Sequence, residues 1–215
     1  MKKSFLCFFM ALICVFSVAL CSCSKTSGEP ETTQNKEEVE FRSKVNEKLG
    51  FEYSFDTAKM KSVDDFASMI DKINTYIPAF SSKEDIDEAY IEDFFIRYYS
   101  GVDPESCDVI ENEEGEKTAV ANRDTVISLL FLIFRIDSFD FPTKEENPGF
   151  YSDGSMVYIK TADQGDAVYC VSETKSENTE NYIIMSRMRG EDGIESFRLN
   201  FADDEFGYYI SSIEN

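Results

Sequence analysis

Apolar residues fall in three regimes along the chain, and each regime predicts a different kind of element. Residues 5–20 form an apolar run broken only by Ser17. After a polar stretch, residues 38–49 space Phe41, Val45 and Leu49 four apart with Gly50 behind them, the period and stop of a helix. Ser62 followed by Asp64 and Asp65 reads as an N-cap with acids that suit a helix start. Phe66, Met69, Ile70, Ile73 and Ile77 then share one face until Pro78 ends the run. Ser81 or Ser82 opens a third helix with Ile86, Tyr90, Ile91, Phe94, Phe95 and Tyr98 on a broad apolar face and Ser100-Gly101 at its end. Residues 102–117 read as a loop dense in acids. From Asn122 or Asp124 to about Ile136, the centre at 126–134 is apolar on all sides. It predicts a helix buried at the middle of the domain, with a buried strand as the competing reading.

The carboxy-terminal half changes period. Residues 156–160, 167–173, 182–189, 194–201 and 207–213 read as short strands separated by polar or glycine-containing connectors. Connectors this short force antiparallel neighbours. The expected fold class is α+β, with amino-terminal helices packed on a carboxy-terminal antiparallel β-meander of about five strands. If 190–193 is a four-residue loop, Arg189 opposes Ile194 and Arg187 opposes Ser196. That register gathers Tyr182, Ile184, Ser186 and Met188 with Phe197, Leu199 and Phe201 on one face, and Arg187, Arg189 and Arg198 on the other. Helices first and a curved sheet last, closing on Phe206-Gly207-Tyr208-Tyr209-Ile210-Ser211-Ser212-Ile213, is loosely similar to the cone-shaped nuclear-transport-factor-two-like fold. Its usual element order differs, because strands there interrupt the helices.

The first regime carries an address. Lys2 and Lys3, the short apolar centre and a small-residue exit make a secretory signal, too short for a comfortable bilayer span of roughly 20 residues. Leu20-Cys21-Ser22-Cys23 resembles the lipobox of bacterial lipoproteins. The resemblance implies that Cys23 receives a diacylglyceryl group and becomes the amino terminus after cleavage. Cys21 fits worse, since bulky Leu20 would precede it. Anchoring by two or more chains is firm, whereas one chain holds only marginally. An ordinary cleaved signal and an uncleaved signal anchor are the alternatives, and all three place the fold outside the cytoplasm. The expected organisation is therefore a signal peptide over 1–22, the lipidated cysteine and a disordered tether over 23–37, and one extracytoplasmic α+β domain over 38–215. Localisation follows as the outer face of the cytoplasmic membrane or the outer membrane, with the lipid anchor as the membrane contact.

Charge and composition then narrow the chemistry. Loss of the signal takes two lysines and no acids, leaving 19 basic against 42 acidic residues, a net −23. Such a surface repels nucleic acid, which is excluded as a partner. The absence of histidine removes His-based general bases, serine and cysteine triads and the common zinc sites. Neither a phosphate-binding Gly-x-x-x-x-Gly-Lys run nor a Gly-x-Gly-x-x-Gly run occurs. Ser172 and Lys175 match a Ser-x-x-Lys spacing but lack the accompanying motifs. Acid pairs such as Asp85/Asp87 and the 111–116 loop are what composition alone produces, so no metal and no cofactor is expected. Cys107 and Cys170 are candidates for a disulfide in an oxidising compartment. Arg187, Arg189 and Arg198, three of seven arginines, make a candidate patch for an anionic ligand or acidic partner. The expected function is non-catalytic binding of an envelope protein or a small ligand. A carboxylate-dependent hydrolase of glycosidase type and a structural envelope protein are the alternatives. An enzyme of that kind needs a cleft with acids of raised pKa; a binding module does not.

Overall fold

The Asp65 N–H donates to Ser62 Oγ at 3.1 Å, and the chain turns helical at Val63. That cap is one of several sequence signals realised in the computed structural model of the protein, which describes residues 33–101, 107–162, 167–177, 180–189 and 194–214. Among the described residues there are four helices: α1 (Thr33–Leu49), α2 (Val63–Ile73), α3 (Glu88–Gly101) and α4 (Arg123–Phe134). Two short 3₁₀ turns, Thr57–Met60 and Lys83–Asp85, sit between them. Helix α1 starts at Thr33, not at Glu38, so it takes in the end of the segment expected as a tether. Lys36, Glu37 and Glu38 are good helix formers and extend the amphipathic turn that follows. The expected signal peptide, Cys23 and the first part of the tether lie outside the described residues.

Helix boundaries differ from the sequence reading where capping, not periodicity, decides. Helix α2 stops at Ile73 because Asn74 takes a left-handed conformation (φ 44°, ψ 42°), ahead of Pro78. Ser82 opens a 3₁₀ turn instead of the third helix, with the Asp85 carboxylate accepting from the N–H groups of Ser81 and Ser82, both at 2.9 Å. Asp87 Oδ1 then accepts from the Tyr90 N–H at 2.9 Å and starts α3. At α4, Asn122 Oδ1 accepts from Asp124 N–H (2.9 Å) and Thr125 N–H (3.4 Å), and all nine residues from Val126 to Phe134 are buried. The apolar stretch is thus a helix and not a strand.

Among the described residues eight strands form two antiparallel sheets, which gives the α+β class. β1 (Asp108–Glu111), β2 (Lys117–Asn122), β4 (Met156–Lys160) and β3 (Phe150–Ser152) lie side by side in that order. β5 (Ala167–Glu177), β6 (Glu180–Arg189), β7 (Ile194–Asp204) and β8 (Gly207–Glu214) make a sequential meander. The expected single meander of five is corrected to four, because Met156–Lys160 pairs with β2 and β3 instead. β4's partners, β2 and β3, are absent from the sequence reading, as is β1, which falls within the expected 102–117 loop. All four residues of β1 are exposed, so this acidic edge strand carries no inward alternation to betray it.

The β6–β7 register is also corrected. Met188 opposes Ile194, Arg187 opposes Glu195 and Met185 opposes Phe197. The buried set is Ile183, Met185, Phe197, Leu199 and Phe201. The expected pairing was one residue out, and a one-residue slip inverts every side chain of a strand. The expected face of β7 holds and that of β6 inverts, because Tyr182/Ile184/Met188 and Ile183/Met185 are both apolar enough to form an inner set.

Helix α4 packs against β8 on one side and β2 and β4 on the other, so it lies between the sheets. α2 covers β5 and β8, and α3 packs on β4. Side chains of α1 pin the following segment: Arg42 donates to the carbonyls of Tyr53 (3.1 Å) and Phe55 (3.0 Å), and Asn46 accepts from Tyr53 N–H. No described helix is long and apolar enough to cross a membrane.

Candidate functional site

The C-terminal turn of α2 is stapled to the outer edge of β5. Asn74 Oδ1 accepts from Tyr169 N–H at 2.9 Å, and Asp71 Oδ1 accepts from Val171 N–H at 2.7 Å. These two side chains satisfy donors that an edge strand otherwise leaves open, and they bring Tyr76 over the sheet. Tyr76 meets Tyr169 (centroids 6.4 Å apart) and Phe197 (5.7 Å, rings at 66°), and Tyr169 meets Phe197 at 6.4 Å. Tyr169, Arg187 and Glu195 form one cross-strand row over β5, β6 and β7 on the helix-facing side.

A half-open cavity of about 340 Å³ lies there, lined by Tyr76, Arg97, Tyr169, Arg187, Glu195, Ser196 and Phe197. Its volume falls at the small end of the range for ligand sites, about 300–1,000 Å³. Two guanidinium groups lie over the aromatic rings: Arg97 is 5.2 Å from the Tyr76 centroid and Arg187 is 5.9 Å from that of Tyr169. Arg97 Nε is 2.9–3.0 Å from both oxygens of Asp93, one helical turn earlier, and this pairing holds the guanidinium pKa above its usual value. Arg187 Nη1 donates to Glu195 Oε2 at 3.1 Å. The cavity's described lining thus carries two cations and one acid in a chain with twice as many acids as bases.

The three arginines read from sequence as one patch are not one patch. Arg187 enters this cavity. Arg198 stands on the opposite face, its guanidinium 4.1 Å from the Tyr182 centroid and its Nε donating to Asn200 Oδ1 at 2.8 Å. Arg189 is described only as the register partner of Ala167. Cys107 and Cys170 are separate free thiols, the first leading into the edge of one sheet and the second within β5 of the other. Ser172 Oγ donates to the Ile184 carbonyl, and Lys175 pairs with Glu180 at 2.7 Å, so the Ser-x-x-Lys members hold separate structural partners. In the 111–116 loop, Asn112 Oδ1 accepts from the N–H groups of Glu114 and Glu116, and Glu116 pairs with Lys160. Among the described residues no group of three or more acids or thiols is arranged to hold a metal ion.

The described carboxyl groups that depart clearly from their ordinary pKa all move down. Asp85 is lowered by the N–H groups of Ser81 and Ser82, Asp137 by Lys48, Asp153 by the Met156 N–H, Glu116 by Lys160, Glu146 by the Thr143 N–H and Glu180 by Lys175. A folded-state pKa below the unfolded one gives stability that is full above the ordinary carboxylate range and is lost as pH falls through the folded values. The urea midpoint is therefore expected to hold from pH 7 to 5 and to drop below about pH 4. A midpoint that rises on acidification would contradict this.

Tyr76, Arg97, Tyr169 and Glu195 carry no site signal in the sequence, and Phe197 is expected there only as a core residue. Arg97 had a readable signal: it is the single basic residue of α3, four positions after Asp93. The cross-strand row depends on the β6–β7 register and became visible only with it. No protein-family model, curated protein or solved structure matches the chain.

Proposed function

We propose that the chain is a lipid-anchored extracytoplasmic protein without catalytic activity, whose folded domain binds a small ligand in the cavity between the segment after α2, α3 and the second sheet. The observation that carries the binding half is the cavity itself, with Arg97 and Arg187 over Tyr76 and Tyr169 and one acid at the rim. A carboxylate-only hydrolase requires a second acid facing the first, one of them with its pKa raised. Among the described residues that line the cavity the one carboxylate is Glu195, 77% exposed and paired with Arg187. Support for the anchoring half is the basic start, the apolar run and the Leu20-Cys21-Ser22-Cys23 sequence.

Two experiments test the halves separately. Cells fed a fatty-acid analogue are expected to label the wild-type protein and not Cys23→Ala, which should leave the membrane fraction. An unlabelled wild type ends the anchoring proposal. A small-molecule extract of the cell envelope is expected to raise the melting temperature of the wild type but not of Arg187→Gln. For a ligand at ~100 times its Kd, the rise is about 5–10 °C. A rise common to both proteins removes the cavity as the site.

A further inference from the structure

We infer that the cavity takes a small carboxylate carried on a flat apolar ring, and that the ligand carboxylate replaces Glu195 as the partner of Arg187. This rests on the reading of the cavity as a binding site.

Three features of Arg187 lead here. Its Nη1 is held by Glu195, whose side chain is 77% exposed, while Arg187 itself is 30% exposed. Pairs with so exposed a partner are weak, so an incoming carboxylate displaces Glu195 at little cost. The Nε–H of Arg187 is buried and has no hydrogen-bond partner among the described residues. A buried donor without an acceptor is uncommon and unfavourable. A guanidinium presents Nε–H and Nη–H as parallel donors, and a carboxylate accepts both side-on. With a modest turn of the side chain, a ligand carboxylate satisfies the donor that Glu195 leaves open.

The ring follows from the walls. Tyr76, Tyr169 and Phe197 are tilted or edge-on to one another and line the cavity with aromatic surface, the environment in which a further ring packs. The volume of about 340 Å³ suits a single-ring molecule and not a polymer segment. The second guanidinium, Arg97, lies over Tyr76 and is paired with Asp93, so Arg187 is the cation whose partner the ligand replaces. The acids elsewhere on the surface are screened beyond ~8 Å at physiological ionic strength, so they slow approach without cancelling the site.

The test is calorimetric titration of the purified full-length protein in neutral detergent with benzoate, alongside benzamide as the uncharged ring and acetate as the anion without a ring. Benzoate is expected to bind at least about tenfold tighter than either control. Arg187→Gln is expected to weaken benzoate about tenfold or more, and Arg187→Lys nearly as much, since an ammonium lacks the fork. Glu195→Gln is expected to tighten benzoate about threefold by removing the competing carboxylate. Opposite signs at two residues of one ion pair are not what a structural contribution produces, and the exposed Glu195 position leaves the fold intact. Equal binding of benzoate and benzamide, weaker binding by Glu195→Gln, or no benzoate heat at millimolar concentration overturns the inference. If benzoate fails while the envelope extract still stabilises the protein in an Arg187-dependent way, the ligand class falls and the binding site stands; if both fail, both fall.

Discussion

Gly207→Ala is expected to destabilise the protein by about 3–5 kcal/mol, with a melting temperature lower by roughly 10 °C. Gly207 opens β8 with φ +90°, and a Cβ there would lie 1.9 Å from the Met60 carbonyl oxygen and 2.6 Å from its carbon. Those are backbone atoms of the buried 3₁₀ turn Thr57–Met60, so no side-chain rotation relieves the clash. Retreat of the hairpin would also pull the Gly207 carbonyl off Arg135 Nη2, now 2.7 Å away. Gly50→Ala is the matched control. Gly50 has φ +78° but nothing within 4 Å of the added Cβ, so it bears only the left-handed strain, about 1–2 kcal/mol. Urea unfolding of both variants separates strain from collision. Equal losses would mean that the hairpin yields freely at Met60 and that the close approach carries no stability.

Gly207 also marks a boundary of what the sequence discloses. The strand that follows it was legible, since alternation and a turn signal suffice for β8. The contact with Met60 was not, because it joins segments about 150 positions apart and leaves no local pattern. The same division runs through the molecule. Ser62, Asn122 and the buried run at 126–134 act within a few residues of themselves, and each appears where the local chemistry puts it. β1 escaped because its side chains face solvent on both sides, which removes the period that reveals strands. The candidate site suffered most. Its row Tyr169–Arg187–Glu195 exists only in the observed register, and the neighbouring register converts the same residues into an exposed basic face. The expected arginine cluster is therefore divided between two faces, and Arg187 stands beside the aromatic rings of Tyr76 after α2, Tyr169 of β5 and Phe197 of β7.

Arg135 is expected to be the most sensitive charged position. It terminates α4 in a left-handed conformation, φ 57°, which a non-glycine residue adopts at a cost of about 1–2 kcal/mol. Its side chain, 9% exposed, repays that by closing the fold. Nε lies 3.0 Å from Asp204 Oδ2, Nη1 donates to the Phe131 carbonyl at 3.2 Å, and Nη2 donates to the carbonyls of Gly207 (2.7 Å) and Tyr208 (3.1 Å). The guanidinium also lies 4.9 Å from the Phe131 ring centroid and 5.0 Å from that of Tyr209. Burial pulls its pKa down while Asp204 opposes the shift, and the group remains the donor for both the α4 end and the β7–β8 turn. Arg135→Ala is expected to lose about 3–5 kcal/mol, because Asp204 loses its cation and the Gly207 and Tyr208 carbonyls lose the guanidinium donor. Arg135→Gly should lose about 1 kcal/mol less than alanine, since it sheds the backbone strain while forfeiting the same contacts. Arg135→Lys should fall between wild type and glycine, as one ammonium cannot span both elements. The order wild type, Lys, Gly, Ala in urea midpoints identifies a clamp built on a strained cap. Identical Gly and Ala midpoints would remove the strain from the account. Hydrogen exchange adds the location: β8 amides should open before those of β2 and β4, because α4 keeps its contacts with the first sheet after its end is released from the second.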